Sequence, residues 1–428
     1  MDRRQILKAA AVAGAYAALP KYSFGAAKGS DKIKVGVIGC SGRGISAVSD
    51  MISADKNVCI TALADLFPDR IEFAKDKFKT YIEKGMPKDC FDIPESQVFV
   101  GWDAYKQLLQ TDVDLVIQAT PPVFRPLHLR ACIEAGKHVF IEKPACVDAV
   151  QARGLYETAK LADEKGLSVI GGIQRRFHKG YMEGIQRMWD GQIGDIVGMQ
   201  CYWLNPQFYI QKLNTVNPDP ESMEYQIRNW FIFTWASGDS YVEQHVHNLD
   251  IMLWGLKGRK PKELIGIGGR RWDLPVPEMG NRFSHFGIDF DYGDGLRCSS
   301  YSRREPGTAS YVKERFIGTK GVLELGMDSQ QIHGETPWQA PTNVPQCLVE
   351  EHRVLIESIR NGKPVNMIKE LTDSTVMAIT GREAAYSGMR FKYDWVLSKS
   401  QKSYFPTECV FGKKPVDPVA LPGIYKLS

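Results

Sequence analysis

The chain is 428 residues long, beyond the size at which one hydrophobic core keeps growing, so two domains are expected. Hydrophobic residues make up 43% and charged residues 24%, ordinary globular values, and no apolar run past the N-terminus is long enough to span a bilayer. The 54 Lys and Arg against 50 Asp and Glu leave a net charge of +4, too small and too scattered for a nucleic-acid surface.

Met1 to Lys8 is basic and Ala9 to Leu19 is a short Ala-rich apolar stretch, the layout of a signal peptide. Within it, Arg3-Arg4-Gln5-Ile6-Leu7-Lys8 resembles a twin-arginine signal, and Ser23-Phe24-Gly25 or Gly25-Ala26-Ala27 offers small residues for cleavage. The nine cysteines lie far apart with no Cys-x-x-Cys, which suggests neither a disulfide framework nor a zinc site. Export by a route that carries folded, cofactor-loaded proteins is consistent with such cysteine usage.

From Lys32 the pattern alternates. Strands are expected at Lys32–Gly39, Val58–Ala64, Val98–Val100, Val113–Ala119, His138–Ile141 and Leu167–Gly172. Between them lie helical stretches at Ile45–Ser53, Asp69–Lys84, Ala104–Leu109, Val123–Ala135 and Ala149–Lys165. This is the pattern of a doubly wound parallel α/β sheet. After Arg176 come strand-like runs (Ile196–Trp203, Glu263–Gly268, Ser284–Tyr292, Leu296–Tyr301, Ser310–Ile317, Gly321–Glu324) without long intervening helices, so a mostly antiparallel open sheet is expected. Helices at Glu351–Arg360 and Leu371–Gly388 follow, then a Pro-rich coil from Lys399. The expected division is a signal peptide (1–30), a dinucleotide-binding Rossmann domain (31–175), an α+β sheet domain with the substrate site (176–345), and C-terminal helices and tail (346–428).

The first strand ends in Gly39-Cys40-Ser41-Gly42-Arg43-Gly44, a G-x-G-x-x-G turn with Ser41 in the middle glycine's place. It follows a strand, opens a helix and stands twenty-one residues before Asp65, where a ribose-binding acid belongs. Gly39 permits the turn, a small residue at 41 lets the backbone approach a pyrophosphate, and the helix N-terminus favours the anion. Asp65 favours NAD over NADP, because a carboxylate accepts from a 2′-hydroxyl and repels a 2′-phosphate. Gly42, Arg43, Gly44, Thr120, Pro121, Glu142 and Lys143 complete the expected cofactor-lining set.

Gly136-Lys137-His138-Val139-Phe140-Ile141-Glu142-Lys143-Pro144 ends a buried strand with an acid, a base and a proline. With the glycine turn, this resembles the glucose-fructose oxidoreductase/inositol dehydrogenase/MocA (Gfo/Idh/MocA) family, whose Glu-Lys-Pro motif places a catalytic lysine beside the nicotinamide. Lys143 matches that lysine, and a cis peptide before Pro144 would aim it into the crevice. The family's second signature, Asp-x-Gly-x-His-x-x-Asp, is met by Glu243-Gln244-His245-Val246-His247-Asn248-Leu249-Asp250. Glu243 replaces the acid, His245 replaces the glycine, and His247 and Asp250 fall in register. On a helix Glu243 and His247 would share a face, so that the carboxylate orients the imidazole, and Asp250 would hold it from below. His245 and His247 are two apart, which argues against a shared metal, and no metal is expected.

Arg176, His245 and Asp250 are candidate substrate contacts. Aromatic residues crowd positions 202–235 (Tyr202, Trp203, Phe208, Tyr209, Tyr225, Trp230, Phe231, Phe233, Trp235), as rings for sugar faces or as an aromatic core. The resemblance implies hydride transfer between a sugar or polyol alcohol and a tightly bound nicotinamide, with His247, Lys143 and Glu243 catalytic. An alternative is an NAD-dependent glycosidase working by oxidation, elimination and re-reduction. The expected setting is periplasmic or otherwise exported, with a carbohydrate substrate, no nucleic acid, no membrane span in the mature form, and a homo-oligomer formed through the sheet domain.

Overall fold

Through residues 33–171, short β-branched runs alternate with amphipathic segments, and they fold as strands and helices in that alternation. The computed structural model describes residues 32–206, 213–214, 216–342, 344 and 346–428; the signal-like segment and Gln207, Phe208 and Tyr209 lie outside the described residues. β1 (Ile33–Ile38), β2 (Val58–Asp65), β3 (Val98–Val100), β4 (Leu115–Gln118), β5 (His138–Ile141) and β6 (Val169–Gly171) pair in parallel in the order β3-β2-β1-β4-β5-β6. Strand order reverses between β1 and β4, which opens a crevice at their carboxyl ends. Helices Gly42–Ala54, Pro68–Glu83, Ala104–Leu109, Arg125–Glu134 and Ala149–Glu164 connect the strands. The fourth begins two residues later than expected because Pro122–Phe124 forms a separate 3-10 turn ahead of Pro126.

The second sheet has nine strands: β7 (Ile196–Asn205), β8 (Glu263–Gly269), β9 (His285–Asp291), β10 (Arg297–Arg304), β11 (Tyr311–Gly318), β12 (Gly321–Leu325), β13 (Gln330–Gly334), β14 (Trp338–Gln339) and β15 (Phe391–Lys392). They run in the order β14-β13-β12-β11-β7-β10-β9-β8-β15. Only β7 and β10 pair in parallel; the other neighbours are antiparallel. β14 and β15, two residues each, are too short to show a period of two, and β13 carries a single apolar residue, Ile332, so these three escaped sequence reading. A helix that strand-based reading missed, Lys179–Trp189, buries Tyr181, Ile185 and Met188 at helical spacing and packs on β12 and β13.

The C-terminal helices bridge the two sheets. Cys347–Arg360 packs on the 42–54 helix, and Ile368–Ser387 packs on both the 149–164 helix and β8. On the opposite face of the second sheet Ile265, Ile267, Tyr301 and Tyr311 stay exposed.

A buried ion pair joins the two halves. Arg175, just past β6, meets Glu314 on β11, whose carboxylate also accepts from Tyr181 Oη (3.0 Å) and Asn248 Nδ2 (2.5 Å). Burial drives the Glu314 carboxyl from its ordinary 4.5 up to about 7, against the pull of Arg175. Such a group binds its proton more tightly folded than unfolded, so its contribution to stability declines as pH rises through that window. Arg175→Ala should lower the unfolding free energy by about 3–5 kcal/mol, and by more at pH 8 than at pH 6. Urea unfolding at the two pH values checks this, and equal losses would contradict it.

Candidate active site

The glycine turn is built by sterics. Gly39 sits at φ +97°, and a Cβ there would stand 2.8 Å from the Ala119 carbonyl carbon. A Cβ at Gly44 would lie 2.0 Å from Gly39 O, so the first helical turn crosses the end of β1 at glycine contact. The Ser41 side chain makes no cap hydrogen bond, and the amides of Ser41, Gly42 and Arg43 have no backbone partner among the described residues. Three open N–H groups at a helix N-terminus fit a pyrophosphate.

Asp65 ends β2 beside this turn. Its Oδ2 accepts from Cys40 N–H (2.7 Å) and its Oδ1 from Phe67 N–H (3.0 Å). Burial raises its pKa, and those two amides oppose the rise. A cavity of about 450 Å³ runs past Gly39, Ser41, Asp65, Thr120 and Pro121. Five of the expected dinucleotide positions thus line one cavity, whereas Gly42, Arg43, Gly44, Glu142 and Lys143 do not line it, and a dinucleotide fits the chemistry of its walls.

The Arg43 side chain does something else. Its guanidinium binds Glu142 (2.5 Å) and Asp50 (2.9 Å) and approaches Glu351 (3.5 Å). Although burial opposes it, the Glu142 and Glu351 carboxylates hold its pKa above the ordinary value. Arg43 is therefore left its amide alone for any ligand at the turn, and its side chain ties the glycine turn to the Glu-Lys-Pro segment. Glu142 in turn packs on Gly172, where a Cβ would stand 2.8 Å from Oε2.

The Lys143–Pro144 peptide is cis. Lys143 Nζ donates to the Glu243 backbone carbonyl (2.6 Å) and to Glu243 Oε1 (2.9 Å). Burial would raise the Glu243 pKa, but Lys143, then Arg304 and Arg125, bring it below the ordinary value. Glu243 thus serves Lys143, where pairing with His247 was expected. The expectation failed because the helix is interrupted: Ser240–Glu243 and Val246–Gly255 are separate segments, so the four-residue spacing does not stack their side chains.

His247 is buried and stacks on Trp203, ring centroids 5.8 Å apart at 19°. Its Nδ1 has no hydrogen-bond partner among the described residues. Burial, then the charges of Lys143, Arg175 and Arg43, push its pKa well below the ordinary value, so the imidazole is neutral. Asp250 does not hold it. That carboxylate takes Arg176 Nε and Nη2 (2.8 to 3.1 Å) and Ser374 Oγ (2.6 Å). His245 is fully buried, its Nε2 2.6 Å from Ser300 Oγ and 3.5 Å from Cys201 Sγ on the inner sheet face. The three expected substrate contacts, Arg176, His245 and Asp250, therefore all have protein partners.

Arg125 escaped sequence reading. It donates to Thr120 O (2.8 Å) and Pro144 O (2.8 Å), joining the ends of β4 and β5, and no motif spacing marks it. The aromatic segment divides: Tyr225, Phe233 and Trp235 are buried with Phe67 and Phe124 in a second apolar cluster, whereas Trp203 faces His247.

Residues 33–170 match the model of the Gfo/Idh/MocA oxidoreductase family, NAD-binding Rossmann fold. Residues 1–20 match a twin-arginine translocation signal, which directs export by that route. The chain is 28% identical to inositol 2-dehydrogenase of Rhodococcus jostii over 42% of this chain and 43% of that one. It is 33% identical to a glycosyl hydrolase family 109 protein of Solibacter usitatus over 34% and 33% of the two chains. The matches thus span less than half the length of these curated relatives. The fold is similar to that of scyllo-inositol dehydrogenase from Lactobacillus casei, solved with NAD(H) and scyllo-inositol, with a TM-score of 0.64 at 20% identity over 85% of this chain and 99% of that one.

Proposed function

We propose that the protein is an NAD-dependent oxidoreductase acting on a secondary alcohol of a sugar, glycoside or polyol. The observation that carries the reading is the buried Lys143–Glu243 pair and neutral His247, held in the fold that forms the glycine-turn cavity. Gly39, Ser41, Gly42, Arg43 and Gly44 would hold the pyrophosphate through the backbone, Asp65 a ribose, and Thr120, Pro121 and Glu142 the remainder. When bound, the nicotinamide supplies the hydride chemistry.

The residues of the chain handle the proton. His247, unprotonated in the resting site, accepts the proton of the substrate hydroxyl. Lys143, steered by Glu243, donates a hydrogen bond to the same oxygen and stabilises the charge that develops there. The glycosidase reading, in which oxidation is followed by elimination and re-reduction, is favoured by the family 109 relative and requires no net change in the cofactor.

The purified protein should release NAD on heat denaturation. Lys143→Met and His247→Ala should each lower turnover by roughly two to four powers of ten while keeping NAD, and the double variant should be little worse than the poorer single one. A denatured extract free of NAD, or near-normal turnover in either variant, would sink the reading. Mass spectrometry of glycosides treated with the protein separates keto products from cleaved ones.

The destination proposed is the periplasm, with the cofactor carried along and recycled in place. Replacing Arg3 and Arg4 by Lys should leave precursor in the cytoplasm, and fractionation with immunoblotting reads it. A homo-oligomer is proposed through the outer face of the second sheet, where Ile265, Ile267, Tyr301 and Tyr311 are exposed. Ile267→Lys should shift the sedimentation coefficient toward the monomer; a monomeric wild-type protein would refute the interface.

A further inference from the structure

The cavity beside Asp65 has a wall that the Rossmann fold does not provide. Phe405 and Cys409, from the Pro-rich tail, line it together with Arg228 and Trp230. The Arg228 wall is firmly tied: its guanidinium binds the Asp69 carboxylate (3.0 and 3.1 Å) and lies over the Phe67 ring at 3.7 Å. The tail is held differently.

At one end, Tyr404 N–H donates to Asp148 Oδ2 (2.8 Å). At the other, Gly412 O accepts from Met223 N–H (2.9 Å), and Lys414 O accepts from Gln226 Nε2 (2.6 Å). Between these anchors, residues 406–411 make no hydrogen bond among the described residues. The span is held by rings. Phe405 meets Phe124 at 6.0 Å, and Phe411 meets Phe67 at 5.8 Å and Trp102 at 5.3 Å. Contacts between rings are individually weak beside paired charges, so this wall can open while its two ends stay fixed.

We propose that residues 405–411 form a strap across the Asp65 end of the cofactor cavity, which must lift for the dinucleotide to leave. This rests on the cofactor reading above and adds the element that retains the cofactor. Because the strap is hinged on hydrogen-bonded ends, its opening sets the release rate, and Phe411 acts as the latch on Phe67 and Trp102.

Cys409 reports on the strap directly. It is partly exposed, whereas the other eight cysteines are buried, so a maleimide should mark it selectively. In the full-length protein first freed of its co-purified NAD by charcoal treatment, re-adding saturating NAD should slow labelling of Cys409, read by peptide mass spectrometry, by roughly tenfold or more. Phe411→Ala, which removes the latch, should speed NAD release in a chase experiment by roughly tenfold and restore labelling of the NAD-bound protein. Equal labelling with and without NAD, in protein that equilibrium dialysis shows to be saturated, would overturn the strap and leave the cofactor reading standing. Unchanged release from a folded Phe411→Ala variant would do the same. Failure of the wild-type protein to bind NAD in dialysis would overturn both.

Discussion

Lys143 ends a strand of the parallel sheet, Glu243 ends a helical turn a hundred residues later, and the ammonium meets both the side chain and the backbone carbonyl of that turn. Two charges taken out of water are stable only when paired and hydrogen-bonded, so the seating of the second half on the first is constrained by this contact. Glu243 gains a lowered pKa from the pairing, and His247, two residues past the helix break, is kept neutral beside the same ammonium. The pairing therefore sets the ionisation of Glu243, while burial first and the ammonium second keep His247 neutral.

Behind it stands a chain of charge contacts that reaches the glycine turn. Arg43 binds Glu142, whose neighbour is Lys143, and Glu351 from a C-terminal helix backs the guanidinium. The end of the turn that suits a phosphate and the end that suits proton transfer are thus mechanically coupled through buried, oriented groups. Arg175 with Glu314 and Arg176 with Asp250 repeat the device at the next boundary, each linking the segment after β6 to the second half. Adjacent arginines used in this way explain why Arg176 is turned to a carboxylate.

The second apolar cluster answers a different need. A crevice at the carboxyl ends of parallel strands is open by construction, and Phe67, Phe124, Tyr225, Phe233, Trp235 and Tyr404 close its flank. Rings from four distant segments cover the flank with apolar area, leaving the charged groups beneath it in a medium of low dielectric, where they act strongly.

Periodicity, glycine placement and the spacing from Gly39 to Asp65 made the parallel sheet, its turn and most of its helices legible in the sequence, because those features follow from local sterics and from which face of an element is apolar. Lys143 and His247 were picked out as candidates through motif register. The partners of these residues were not. Glu243 was read as serving His247, yet the helix is interrupted at Gln244 and His245, and an interruption of two residues turns the later side chains away from the face an unbroken helix would give. Arg43, Asp250 and His245 likewise found partners 55 to 124 residues away, at Glu142, Ser374 and Ser300. Local sequence determined which elements form and which groups are chemically capable. Tertiary packing alone decided which charges meet, because a buried charge takes whichever partner the assembled core brings within hydrogen-bond reach.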